Sequence, residues 1–155
     1  MNVGNFSIKK SLLCFASAIF VSFLPATVSG GGTTGLEFEG PFFQRLMRTS
    51  PILRDRFIET HLNRLVSARG KVISVDKAEL YNGKARIVLR DTAAAGYNIT
   101  ILYHVYLKDS DAAGALSAGD LFSFTGQFVA YTPLNSLRSG YIIDILFQTG
   151  SVTFE

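Results

Sequence analysis

The hydrophobic period of the chain changes near Leu65, and this change constrains the fold more than any other feature of the sequence. Before it, apolar residues recur about every four positions, as on one face of a helix. After it, apolar and polar residues alternate, and in the clearest segment one side consists of Ile99, Ile101, Tyr103, Val105 and Leu107. Such alternation is typical of half-buried strands in an antiparallel sheet. The sequence therefore predicts a mainly β domain that follows a short helical segment.

Five segments alternate in this way, at residues 65–80, 84–91, 98–108, 118–131 and 141–155. Gly70 interrupts the first, where a glycine often marks a bulge or a sharp coil. Asn82 and Gly83 predict a tight hairpin between the first two, and residues 108–120 are long enough for one or two helical turns. In the fourth segment we expect the interior to be filled by Phe122, Phe124 and Phe128. This pattern predicts a small, closed, five-stranded Greek-key barrel over residues 64–155.

Two stretches of the predicted barrel resemble the oligonucleotide/oligosaccharide-binding (OB) fold. "RLVSARGKVISVD" (residues 64–76) looks like the first OB strand, with Gly70 where that strand coils to serve both sides of the barrel. "LSAGDLFSFTGQFVAY" (residues 116–131) looks like the entry to the fourth strand. The layout is similar to exported bacterial OB-fold proteins and to anticodon-binding-like OB modules. The resemblance implies a binding module more often than an enzyme, and it names no ligand.

Residues 1–30 have the layout of a secretory signal peptide. Lys9 and Lys10 precede a charge-free apolar run over residues 11–24, and small residues before residue 30 suit cleavage there. The run is shorter than the roughly 20 residues that cross a bilayer, and an uncleaved anchor is the alternative. We expect an exported protein, periplasmic or secreted, with a flexible mature N-terminus over residues 31–40. The single cysteine, Cys14, would leave with the signal, so the mature chain would hold no disulfide.

Residues 41–63 predict one or two short amphipathic helices that pack on the barrel. Ser50 followed by Pro51 is a signal for a new helix start. The apolar face of the first helix comprises Phe42, Phe43, Leu46 and Met47. This face either caps an open end of the barrel or, as an alternative function, docks the protein on a partner in a cell-envelope complex.

Catalytic and metal-binding patterns are weak in this sequence. Only two histidines are present, and neither a G-x-S-x-G elbow nor a phosphate-binding glycine loop occurs. Residues 109–120 match a calcium loop only in part, because alanine stands at the third ligand position and aspartate at the last. Asp91 beside Arg90 is the nearest approach to a metal-dependent nuclease site. We therefore expect no enzyme activity, cofactor or metal, and a nuclease or other hydrolase is the third functional alternative.

One basic region stands out from a nearly neutral chain. Without Lys9 and Lys10, 13 basic and 12 acidic side chains remain, a net charge of +1. Between residues 64 and 90, however, seven basic side chains face two acidic ones. The predicted ligand-binding residues are Lys71, Lys84, Arg86, Arg90, His104 and Tyr106. In OB-type modules the second and third strands bind extended ligands. The expected ligand is therefore an anionic glycan, a peptide or a nucleic acid. The alternative is an ordinary solvated face that blocks edge pairing.

Overall fold

The computed structural model of the chain describes residues 35–111 and 113–153. The predicted signal peptide and its cleavage site lie outside these residues. The described part begins with a two-residue strand, β1 (Leu36–Glu37), and two helices, α1 (Gly40–Arg48) and α2 (Pro51–Glu59). Five longer strands follow, namely β2 (Leu65–Lys77), β3 (Ala85–Asp91), β4 (Thr100–Leu107), β5 (Leu121–Pro133) and β6 (Gly140–Thr153). Neither helix is long and apolar enough to cross a bilayer, a finding that covers only these described residues.

The five long strands close into a barrel. Their order is β2-β3-β4-β6-β5, and β5 also pairs with β2, which completes the circle. Among them, the pairing of β4 with β6 is parallel and the other pairings are antiparallel. This connectivity is that of the OB fold, so the predicted fold class, a mainly β Greek-key barrel preceded by short helices, is confirmed.

Gly70 lies where β2 passes from one neighbour to the other. Residues Leu65–Lys71 pair with β5, and residues Gly70–Lys77 pair with β3. A Cβ atom at Gly70 would lie 2.8 Å from the backbone oxygen of Arg90, so only glycine allows this close approach. The predicted coil at Gly70 is therefore present. The register shift itself comes slightly later, between Val72 and Ser74.

The barrel interior is filled mainly by aromatic and branched side chains. The three phenylalanines of β5 are buried as predicted, with 5% of Phe122, 2% of Phe124 and none of Phe128 exposed. Gly126 allows β5 to bend around them, because a Cβ there would collide with the side chain of Ile145 and with the backbone oxygen of Leu146. Burial of such rings supplies most of the driving force for folding a domain of this size.

The helices cover one end of the barrel with their apolar side chains. Phe42, Phe43 and Leu46 are buried, and Met47 packs against the same core. In this conformation a partner could reach the three buried side chains only by displacing the core, and docking on an envelope partner stays a prediction. The sequence left this choice open because an apolar helix face looks the same whichever surface it contacts.

His61 follows α2 and packs against the ring of Phe42, at 5.6 Å between centroids, and against that of Phe57, at 5.1 Å. Neither ring nitrogen of His61 has a hydrogen-bond partner within the described residues. Burial, with smaller contributions from Arg64 and Arg45, lowers the pKa of His61. The ring is thus a member of the aromatic cluster that it forms with Phe42 and Phe57.

Within the described part of the segment predicted to be flexible, β1 pairs with β2 and Phe38 is 1% exposed. Two other local predictions need correction. The left-handed residues of the β2–β3 turn are Tyr81 and Asn82, with φ of 55° and 58°, whereas Asn82 and Gly83 were expected. Between β4 and β5, the described residues form hydrogen-bonded turns rather than a helix.

Candidate functional site

Five of the six predicted ligand-binding residues lie along the outer face of β2, β3 and β4, and the strand register separates them into rows. One row joins Arg86 to Tyr106, and the next joins Val88 to His104. A third row joins Lys71 to Arg90. Lys84 precedes β3, and its backbone amide donates to the carbonyl of Leu107. Alternate residues of a strand share a face. Arg86 and Arg90 therefore lie on the same side of the sheet as His104 and Tyr106, as predicted.

In the first row, Arg86 is paired with a partly exposed carboxylate of the protein itself. Its guanidinium donates to Asp76 Oδ2 at 3.1 Å, and this hydrogen bond is the main reason why the pKa of Arg86 is raised. The Nε atom of Arg86 is buried and has no partner in the described part of the chain. Tyr106, directly opposite on β4, is only 5% exposed. Arg86 therefore has less free charge to offer a ligand than the sequence suggested.

The second row contains another internal pairing. His104 Nδ1 lies 3.4 Å from Asp144 Oδ1 on β6, and the hydroxyl of Tyr81 donates to the other carboxylate oxygen at 3.2 Å. The ring of Tyr81 also meets that of Tyr106 edge-on, with centroids 5.0 Å apart. The β2–β3 turn is thus held down over the sheet, and Tyr81 keeps 40% of its surface exposed.

Asp76, Tyr81 and Asp144 were missed as members of this face. The alternation of residues within each strand could have placed Asp76 and Asp144 on the outward side of their strands. Placing Asp144 next to His104, however, requires the parallel β4–β6 pairing, which joins positions 40 residues apart and leaves no local trace. Tyr81 was not predicted to be part of this face because the left-handed residues of the turn lie one position earlier than the Asn82-Gly83 pair indicates.

The third row is different because its charges are alike and free. Lys71 and Arg90 are direct cross-strand neighbours, both exposed. Neither makes an ion pair within residues 35–111 and 113–153. Arg69 lies on the same side of β2, two residues before Lys71, and is also exposed. This end of the face is therefore a surface of unbalanced positive charge.

The two ends of the face offer different chemistry to a ligand. Arg90 and Arg86 are four residues apart on β3, or about 13 Å at roughly 3.3 Å per residue. Lys71 and Arg90 can hold an anionic group at one end, and the exposed ring of Tyr81 can contact an apolar or planar group at the other. An extended ligand along β3 would contact both.

A concave surface lies beside this face, on a partly different set of strands. It is a groove of about 610 Å³ between β1, the start of α1, the end of β3 and the outer side of β2, β5 and β6. Asp91 lies at the wall of the groove, with 4% of its surface exposed. Its carboxylate accepts a hydrogen bond from the hydroxyl of Tyr103 at 2.6 Å. Burial raises the pKa of Asp91, and the charge of Glu39 adds to this increase. The sequence analysis considered Asp91 only beside Arg90 and did not find the groove.

The partial calcium loop shows no cation-binding arrangement. Asp109 accepts a hydrogen bond from the backbone amide of Asp111 at 3.0 Å, and Asp120 accepts one from the amide of Ser117 at 2.8 Å. Both carboxylates thus stabilise turns. Across the described ranges, which omit residue 112, no three histidine, cysteine or acidic side chains gather as metal ligands would.

No protein-family model matches the sequence, and no curated protein matches it. Among solved structures, a chain provisionally described as an aspartyl-tRNA synthetase from Leishmania major Friedlin aligns with 15% identity and a TM-score of 0.44. The alignment covers 83% of this chain but only 23% of that one. A chain provisionally described as a nucleic acid-binding lipoprotein from Klebsiella pneumoniae subsp. pneumoniae MGH 78578 aligns with 14% identity and a TM-score of 0.44, covering 73% and 86% of the two chains.

Proposed function

We propose that this protein is an exported, non-catalytic OB-fold module that binds an extended anionic polymer along the outer face of β2, β3 and β4. The observation that carries the proposal is the exposed cross-strand pair of Lys71 and Arg90. Like charges directly opposite each other destabilise a sheet. An anionic ligand group, such as a phosphate or sulfate, would remove this repulsion and form charge-assisted hydrogen bonds with both side chains.

The rest of the face supports an orienting role for the internally paired residues. Arg86 and His104 each face an aspartate, so their contribution is to hold the sheet surface and, through Asp144, the hydroxyl of Tyr81. The exposed ring of Tyr81, which packs edge-on against Tyr106, then contacts the ligand. In this proposal Lys84 adds positive charge at the same end, since it is exposed beside the turn.

The binding proposal predicts that removing Lys71 and Arg90 weakens binding and makes it less dependent on the salt concentration. We expect Lys71→Ala/Arg90→Ala to weaken binding of a fluorescein-labelled single-stranded oligonucleotide by at least about tenfold at low salt. The slope of log K against log salt should become less steep by about 1.4, since each lost phosphate contact removes roughly 0.7. Fluorescence anisotropy at several salt concentrations measures both, and a sulfated glycan added as competitor tests whether the site requires nucleotides.

Arg48→Ala/Arg56→Ala is the matched control, because it removes the same charge from exposed helix positions that form no ion pair in the described part of the chain. It should leave the affinity within about twofold if specific contacts, and not net charge, carry the binding. Equal losses in the two double variants, or none in Lys71→Ala/Arg90→Ala, would rule out the proposed face.

Export is the part of the proposal that rests on the N-terminal sequence. We expect protein recovered from the periplasmic fraction of an expressing Gram-negative host to lack residues 1 to about 30, because the apolar run and small residues suit signal cleavage. Intact mass spectrometry measures this directly. Recovery of the full-length mass from the membrane fraction would instead support the uncleaved anchor.

A further inference from the structure

We infer that the groove bounded by β1, β2, β5 and β6 is a second binding site, which takes an oligosaccharide bearing free amino groups. Its lining includes Arg69, which adjoins the cationic face, but neither Lys71 nor Arg90, and its carboxyl groups outnumber its cations. Its volume of about 610 Å³ lies within the range of about 300–1,000 Å³ that is usual for small-molecule sites. The inference does not depend on the proposed function of the Lys71–Arg90 pair.

The floor of the groove is an ordered array of hydroxyl groups. One row runs across four strands through Glu37, Ser67, Thr125 and Thr149. The adjacent row runs through Arg69, Ser123 and Ser151. Neighbouring strands are about 4.8 Å apart, so each row presents a polar group at a spacing close to the length of one sugar ring.

Most of these hydroxyls have hydrogen-bonding capacity to spare. Ser67 and Thr125 bond to each other at 2.8 Å. The side chains of Ser123, Thr149 and Ser151 make no hydrogen bond to any other described residue. A hydroxyl can donate once and accept twice, as can each hydroxyl of a sugar, so a saccharide matches this surface better than an acceptor-only anion does.

The charge of the groove determines which saccharide fits. Glu37 and Glu39 line it and are exposed, and neither forms an ion pair within the described ranges. Asp91 adds a third carboxyl group, against the single cation of Arg69. The excess of carboxylates would repel sulfated or phosphorylated sugars and would form charge-assisted hydrogen bonds with ammonium groups. An amino-sugar oligomer satisfies both the hydroxyl array and the acidic rim.

The test compares two sugars that differ only at their amino groups, which are charged in one and acetylated in the other. We expect protonated tri-glucosamine to bind the full chain in isothermal titration calorimetry, and its N-acetylated counterpart to bind at least about tenfold more weakly, because acetylation removes the charge-assisted hydrogen bonds. Glu37→Gln/Glu39→Gln should remove this preference. Ser123→Ala/Ser151→Ala should weaken binding of both sugars, since it removes hydroxyls from the floor.

Lys71→Ala/Arg90→Ala serves as the control that separates the two sites, and it should leave tri-glucosamine binding unchanged. Unchanged melting temperatures of the surface variants would exclude misfolding as the cause of any loss. The inference is overturned if neither sugar binds, if the two bind equally, or if the preference survives in Glu37→Gln/Glu39→Gln. Failure of the oligonucleotide experiment would leave these results untouched.

Discussion

We expect Phe128→Ala to lower the free energy of unfolding by about 3–5 kcal/mol, as is typical when a fully buried phenylalanine is truncated. Phe128 has no exposed surface, and its ring lies 5.9 Å from that of Phe38 and 6.5 Å from that of Tyr131. Its backbone also exchanges hydrogen bonds with Asn63 and Arg64, where the chain enters β2. The residue thus connects the barrel core to the N-terminal segment.

Urea denaturation monitored by circular dichroism measures this change. Leu137→Ala is the control, because Leu137 is 75% exposed and surface substitutions usually change stability by less than about 0.5 kcal/mol. A loss below about 1 kcal/mol for Phe128→Ala would mean that the ring is not held in the core.

The second large effect concerns the buried carboxyl group of Asp91. Its Oδ1 accepts the backbone amides of Ala93 and Ala94, each at 2.7 Å, and its Oδ2 accepts the hydroxyl of Tyr103 at 2.6 Å. We expect Asp91→Ala to lower the free energy of unfolding by about 3 kcal/mol, since each buried donor left unsatisfied costs roughly 1–3 kcal/mol. Tyr103 dominates this loss because no part of its side chain reaches solvent.

A double-mutant cycle separates the hydrogen bond from the general effect of truncation. In Asp91→Ala/Tyr103→Phe the stranded hydroxyl is gone, so the double variant should be more stable than the two single losses predict. The interaction energy should lie between about 0.5 and 3 kcal/mol. Additive losses, measured by the same urea titrations, would show that Asp91 and Tyr103 contribute independently.

The inward and outward sides of the strands could be predicted from the sequence. Alternation in β4 separates Tyr103 and Val105, which are buried, from His104, which faces the outer side. Gly70 was also recognisable, because a glycine inside a long strand needs a structural reason. These features are local: each depends on neighbours in the chain and on the period-two geometry of a strand.

The binding face could be predicted only in outline. Five of the six residues do lie on the outer side of β2, β3 and β4, with Lys84 beside them. The sequence could not show that Asp76 pairs with Arg86 or that Asp144 lies beside His104, so it overestimated the free charge at that end of the face. A count of charges along the chain contains no information on which charges pair.

The groove could not be predicted from the sequence, for the same reason. Its hydroxyls come from β2, β5 and β6, and each one looks like an ordinary outward-facing serine or threonine in its own strand. The sequence by itself determined the strand pattern and the aromatic core, because these follow from composition and local period. Only the tertiary structure decided which cations remain free and which hydroxyls gather in a groove, because the β4–β6 pairing and the β2–β5 closure join residues far apart in the chain.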